Sequence, residues 1–127
     1  MTTTISRQDL QAKLGSSEPP VLVEALGSAY FADAHLPGAI NIPPDQVDRL
    51  APRLLPDLDT EIVVYCSATC RNSEAAARRL EQLGYRRVLV YPDGKEDWIE
   101  HSLAVERGAD PAASEPRRTG YSGWTVP

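Results

Sequence analysis

Ile62-Val63-Val64-Tyr65-Cys66-Ser67-Ala68-Thr69-Cys70-Arg71-Asn72 runs from an apolar segment through two cysteines to a basic residue. Its first four residues are the strongest strand signal in the chain, an apolar β-branched run that stops at a cysteine. Behind it, residues 72–83 place Ala76, Leu80 and Leu83 on one helical face and Arg78, Arg79 and Glu81 elsewhere, with Gly84 as a natural stop. A buried strand, a short loop and a helix therefore surround Cys66.

Working outward, the same alternation repeats. Downstream, Val88-Leu89-Val90-Tyr91 reads as a strand, Pro92-Asp93-Gly94 as a turn, and residues 95–102 as a short helix carrying Trp98 and Ile99. Upstream, residues 6–14 read as a helix, with Ser6 as its cap, Asp9 near its positive end and Gly15 as its stop. Val21-Leu22-Val23 is a second buried strand. Residues 27–34 suggest a turn and a short helix, and residues 35–43 a Pro/Gly turn leading into a brief extended piece. Residues 45–55 carry Val47, Leu50, Leu54 and Leu55 at helical spacing, which Pro52 should bend or divide. Strands alternating with helices imply an α/β fold: a doubly wound, mostly parallel β-sheet with helices on both faces. Sites in such folds form at the carboxyl ends of strands, where Cys66 falls. Residues 1–106 form the expected domain. Residues 107–127, rich in Gly, Pro, Ser, Ala and Arg, read as a tail, with Tyr121 and Trp124 as the aromatics that can dock it.

Composition narrows the function classes. The chain has 127 residues, the size of one domain with its own core, so no disulfide scaffold is needed. Net charge is −5, which argues against a nucleic-acid or membrane surface as the main partner. No apolar run approaches the roughly 20 residues of a membrane span. No signal peptide is visible, which gives a cytoplasmic expectation. Cys66 and Cys70 are the only two cysteines, too few for a disulfide framework or a structural zinc site, so no metal is expected.

The chemistry centres on Cys66. The loop amides of Ser67, Ala68, Thr69, Cys70 and Arg71 can turn inward, and the following helix adds unpaired N–H groups and a partial positive charge. That setting favours the thiolate, which is the nucleophile. Arg71 adds a permanent charge suited to oxyanions. The bland alternative is an inert buried thiol, the usual fate of a free cysteine. The strand–cysteine–loop–arginine–helix context tips the balance towards a nucleophile that accepts a group from an anionic donor.

Three stretches together resemble the rhodanese (thiosulfate sulfurtransferase) family in its single-domain form. The first is Leu22-Val23-Glu24 followed by Phe31 through His35-Leu36-Pro37-Gly38-Ala39-Ile40-Asn41-Ile42-Pro43. The second is Tyr65-Cys66-Ser67-Ala68-Thr69-Cys70-Arg71-Asn72-Ser73. The third runs from Leu83-Gly84-Tyr85 through Val88-Leu89-Val90-Tyr91-Pro92-Asp93-Gly94 to Trp98. The resemblance implies a persulfide on Cys66, with Arg71 as the basic residue closing its loop. It implies a two-step transfer of sulfane sulfur from thiosulfate or a related small anionic donor to cyanide, a thiol or a protein acceptor, with no cofactor. Related phosphatases and arsenate-type enzymes resemble the arrangement with a loop one residue longer, so the Cys-x4-Arg spacing points to sulfur over phosphate. The sequence departs from the family pattern at Glu24-Ala25-Leu26, where Asp-Val-Arg is usual, at Ala34, where a glycine is usual before His35, and at Thr69, where a loop glycine is common.

Other residues read as structural: His35 as a hydrogen-bonding group, Trp98 as core, Asn41, Pro37 and Gly38 as turn chemistry, Glu24 as a satisfied acid, and Arg78 and Arg79 as a solvated face. Cys70 can resolve a Cys66 persulfide or merely fill space. Three functions compete: a sulfur-transferring enzyme, a persulfide carrier serving one protein acceptor, and a redox switch using Cys66 and Cys70. Phosphatase chemistry is a distant fourth. Oligomeric state is left open.

Overall fold

Alternation within one strand sets the layers of the molecule. The structure is a computed structural model and describes residues 3–67 and 71–108. At its centre lies β4 (Glu61–Tyr65), paired in parallel with β2 (Val21–Glu24) on one side and β5 (Arg87–Tyr91) on the other. Ile62 and Val64 of β4 face one core, and Val63 and Tyr65 face the other. The first core holds Val47, Leu50 and Ala51 of α3 (Val47–Leu54) and Ala76, Ala77 and Leu80 of α4 (Asn72–Gln82). The second holds Leu10 of α1 (Arg7–Leu14), Phe31 of α2 (Ser28–Asp33) and Trp98 of α5 (Gly94–Glu100). A strand buried on both faces must be apolar at every position, which is why Ile62-Val63-Val64-Tyr65 reads so strongly. The doubly wound parallel sheet expected from the sequence is the observed fold.

Two short strands complete the sheet, giving the order β1-β5-β4-β2-β3. β3 (Ile40–Asn41) is the extended piece foreseen after the Pro/Gly turn and pairs with β2. β1 (Thr3–Thr4) was not foreseen, because two threonines carry no apolar run. Its place is fixed by backbone pairing with Leu89 and Val90 and by the Ile5 amide donating to the Val90 carbonyl at 2.9 Å.

Pro52 does not divide its helix. It sits inside α3, and the change of geometry comes earlier, where a 3-10 turn over Pro44–Gln46 hands over to the α-helix. The proline removes one amide donor near the end of a helix whose Val47, Leu50 and Ala51 are buried, and that packing holds the turn together. Gly84 adopts φ +106° just past α4, a left-handed stop that glycine supplies without strain. Arg79 lies on the solvated face expected of it and from there also bridges two helices, donating to both carboxylate oxygens of Asp48 at 2.7 and 2.6 Å. Beyond α5 the chain returns to α2. His35 and Glu106 exchange backbone hydrogen bonds, and the Gly108 amide donates to the Ala32 carbonyl at 2.8 Å. Residues 109–127, including Tyr121 and Trp124, lie outside the described residues.

Candidate active site

The strand order creates the site. β2 continues through α2 to β3 on one side, while β4 continues through α4, packed on the opposite face, to β5. Neighbouring strands whose connections diverge leave a crevice at their carboxyl ends. Cys66 is the first residue past β4, and Ala25, the first past β2, donates its amide to the Tyr65 carbonyl at 2.8 Å. The Cys66 carbonyl is held in turn by the Lys95 amide at 2.9 Å.

Cys66 is 1% exposed, and its Sγ lies 3.5 Å from the Ser73 Oγ. Ser73 is itself buried, in the first turn of α4 on the face that carries Ala76, Ala77 and Leu80. Its hydroxyl can donate to a sulfur anion, as the thiolate and the persulfide both are. Arg71 caps α4 with backbone alone, so the first-turn N–H groups and their partial positive charge stand at the end of the loop. In this structure Cys66 is disulfide-bonded, and no cysteine among the described residues is free.

A buried polar cluster is tied to the Cys66 backbone through Lys95. Lys95 donates from Nζ to Glu24 Oε2 at 3.0 Å, to the Tyr30 carbonyl at 2.9 Å and to the Ala34 carbonyl at 2.6 Å. Tyr65 donates its hydroxyl to Glu24 Oε1 at 2.9 Å and accepts from the Leu36 amide at 3.0 Å. Burial pushes the Glu24 carboxyl above its usual range, against the opposing pull of Lys95 and Tyr65. Burial, and next the Glu24 charge, push the Tyr65 hydroxyl far up, so it stays a neutral donor. Asn41 donates to the Glu24 and Leu26 carbonyls at 3.2 and 2.8 Å, pinning the chain just past β2. The acid kept at Glu24 is thus satisfied, and Lys95 is its cationic partner.

A cavity of about 360 Å³ opens at this strand end, lined by Leu26, Tyr30, Ser67, Asn72, Lys95 and Glu96. Of the residues singled out from the sequence, Ser67 lines this cavity and Cys66 adjoins it in the chain. Arg71 is not among the lining residues: its side chain is 88% exposed, with NH1 3.5 Å from Glu74. Ala68, Thr69 and Cys70 lie outside the described residues. A larger cavity of about 540 Å³ lies among Leu14, Pro20, Leu22 and Trp98, at the amino end of β2 and so at the wrong end of the sheet for strand-end chemistry. Among the described residues no group of His, Cys, Asp and Glu is placed to hold a metal. His35 does the structural work expected of it: its ring stacks on Phe31 at 3.7 Å, and Nδ1 lies 2.8 Å from the Phe31 carbonyl.

Two site residues escaped the sequence reading. Ser73 had a signal: it shares helical spacing with Ala76, Ala77 and Leu80, and a hydroxyl on an otherwise apolar face needs a partner. Lys95 had a weaker one. A carboxylate at the end of a buried strand demands a cation, but sequence alone did not say which.

The candidate site is thus a strand-end cysteine at a topological switch point, backed by the start of a helix. The family model described as Rhodanese-like domain matches residues 6–101, and the chain belongs to that family. It is 29% identical over 107 residues to a "Sulfurtransferase" of Allochromatium vinosum, covering 83% of this chain and 95% of that one. It is 30% identical over 94 residues to the "Putative sulfur carrier protein YrkF" of Bacillus subtilis, covering 74% of this chain but only 49% of that protein, so it spans about half of that relative. Among solved structures, the thiosulfate sulfurtransferase of Pseudomonas aeruginosa superposes with a TM-score of 0.75 at 26% identity, covering 84% of this chain and 20% of that one. No helix among the described residues is long and apolar enough to cross a membrane.

Proposed function

We propose that this chain is a sulfurtransferase that moves sulfane sulfur from thiosulfate or a related donor to cyanide or a thiol through a Cys66 persulfide. The observation that carries the reading is the position of Cys66 Sγ at the switch point, 3.5 Å from the Ser73 hydroxyl in the first turn of α4, a helix start that no side chain caps. Once reduced, the Cys66 thiolate attacks the outer sulfur of the donor. The S–S bond breaks, and for thiosulfate the electron pair leaves with sulfite. The resulting persulfide anion is stabilised by the Ser73 hydroxyl and the helix-start amides, with no acid or base required. A thiophilic acceptor then takes the outer sulfur and restores the thiolate. In this reading Ser67, Ala68, Thr69, Cys70 and Arg71 form the donor cradle, no cofactor takes part, and the protein works in the reducing cytoplasm. Mass spectrometry of the reduced chain after thiosulfate or polysulfide treatment tests it. One added sulfur on the Cys66 peptide, absent in Cys66→Ser, is expected. No adduct from any donor would sink it.

The disulfide-bonded state of Cys66 favours one second reading, a redox switch that uses Cys66 and Cys70. Mild oxidation of the reduced chain should then form an intramolecular disulfide that Cys70→Ser cannot form. The carrier reading, which the name of the Bacillus relative supports, predicts a stable persulfide with slow turnover on small acceptors.

A further inference from the structure

The strand-end cavity of about 360 Å³ has walls that are held from behind. The Leu26 carbonyl accepts from the Asn41 side chain at 2.8 Å, which fixes Leu26 just past β2. The Tyr30 carbonyl accepts from Lys95 Nζ at 2.9 Å, and the backbone amide of the same lysine holds the Cys66 carbonyl at 2.9 Å. One residue therefore sets the place of Tyr30 relative to the cysteine. On that anchored backbone Tyr30 is 65% exposed, more than Leu58 or Ile99, the other exposed large apolar side chains among the described residues. A large aromatic ring kept open at the wall of a cavity gains free energy when a ligand covers it.

We infer that Leu26 and Tyr30 form the acceptor subsite and select an organic thiol with an apolar or aromatic group over cyanide. The inference rests on the sulfur-transfer reading above and names the acceptor class for that site. A volume of about 360 Å³ falls within the range of small-molecule sites, roughly 300–1,000 Å³, and a two-atom anion leaves most of it unfilled. Lys95 also lines the cavity, but its three N–H donors are spent on Glu24 and on the Tyr30 and Ala34 carbonyls, so it has none left for an incoming anion. The apolar part of the lining, Leu26 and Tyr30, is covered only by an acceptor that carries a hydrocarbon group. In the step itself, the acceptor sulfur attacks the outer sulfur of the Cys66 persulfide. The persulfide S–S bond breaks, and its electron pair returns to Cys66 Sγ. With protons counted, the persulfide anion and R–SH give the Cys66 thiolate and R–S–SH. No outside oxidant or reductant is consumed.

The test loads the reduced full chain with sulfur from polysulfide, removes the excess donor, and follows discharge of the Cys66 persulfide by mass spectrometry. Three acceptors are compared: phenylmethanethiol, 2-mercaptoethanol and cyanide. The two thiols are primary and of similar acidity, so their ratio reads the substituent rather than the sulfur. In the wild type phenylmethanethiol should discharge the persulfide faster than 2-mercaptoethanol. Tyr30→Ala should lower the phenylmethanethiol rate relative to both other acceptors by about three- to tenfold, and Tyr30→Phe, which keeps the ring, should retain the wild-type ratios. Tyr30 is exposed and is anchored by its backbone carbonyl, so both variants should fold. Equal discharge by the two thiols in the wild type, ratios unchanged in Tyr30→Ala, or a loss in Tyr30→Phe as large as in Tyr30→Ala overturns the inference. Absence of any added sulfur on Cys66 after loading overturns the sulfur-transfer reading instead, so the two failures are distinct.

Discussion

Lys95 and Arg71 flank the same cysteine, and the fold treats them in opposite ways. Lys95 is 10% exposed, its ammonium held by Glu24 and two carbonyls that tie α5 to β2 and α2. Arg71 is 88% exposed, with one carboxylate neighbour at 3.5 Å on its own helix. A buried charge must be fully partnered or it destabilises the fold, whereas an exposed one is screened and contributes little. Charge near Cys66 is therefore of two kinds: Lys95 is tied into the fold, and Arg71 stands in solvent beside Glu74.

Breaking the buried side should have the largest effect. Lys95→Met strands Glu24 in the core, and urea unfolding should show a loss of about 3–5 kcal/mol. A loss below about 1 kcal/mol would erase the contrast with Arg71. Next comes Glu24→Gln, which keeps hydrogen-bonding groups but removes the charge, at about 1–3 kcal/mol. Its pH dependence has a definite sign. The folded carboxyl titrates above its ordinary value of 4.5, so the folded state holds the proton more tightly than the unfolded chain. The stability that Glu24 contributes is complete below 4.5 and falls as pH rises through the folded value. The penalty of Glu24→Gln should therefore be greatest on the acid side and shrink as pH rises. A penalty that grows instead would reverse the assignment.

Ser73→Ala touches the sulfur and not the frame. It should slow alkylation of reduced Cys66 near neutral pH by about fivefold and move the alkylation pH profile upward, for the loss of about 1 kcal/mol of hydrogen bonding to the thiolate. An unchanged profile would make Ser73 a spectator. The smallest stability effect belongs to Arg71→Ala, within about 0.5 kcal/mol of wild type by the same urea assay. A larger loss would show that Arg71 also carries structure.

Much of this was legible in the chain. Ile62-Val63-Val64-Tyr65 gives away a strand buried on both faces because every position must be apolar, and the candidate site was expected at its end. The three stretches running from Leu22 to Trp98 pointed to the family that the comparisons then showed. The illegible parts share one physical cause, interactions set by tertiary placement rather than local pattern. Lys95 finds Glu24 across 71 positions of sequence, and Arg79 finds Asp48 across 31. β1 forms because β5 offers an open ladder, not because threonines propose a strand. Pro52 does not divide α3 because the packing of Val47, Leu50 and Ala51 outweighs the local cost of the proline.

The unforeseen strand has a consequence for how the protein keeps its own company. β5 borders the sheet, and without Thr3 and Thr4 its Leu89 and Val90 backbone would face outward as an unpaired apolar rim. Two exposed polar residues close that rim while offering the next molecule only a short, hydrophilic strip. A chain begun at Ile5 would keep both cores and the cysteine but lose this guard, so its expected failing is concentration-dependent aggregation and not lost chemistry.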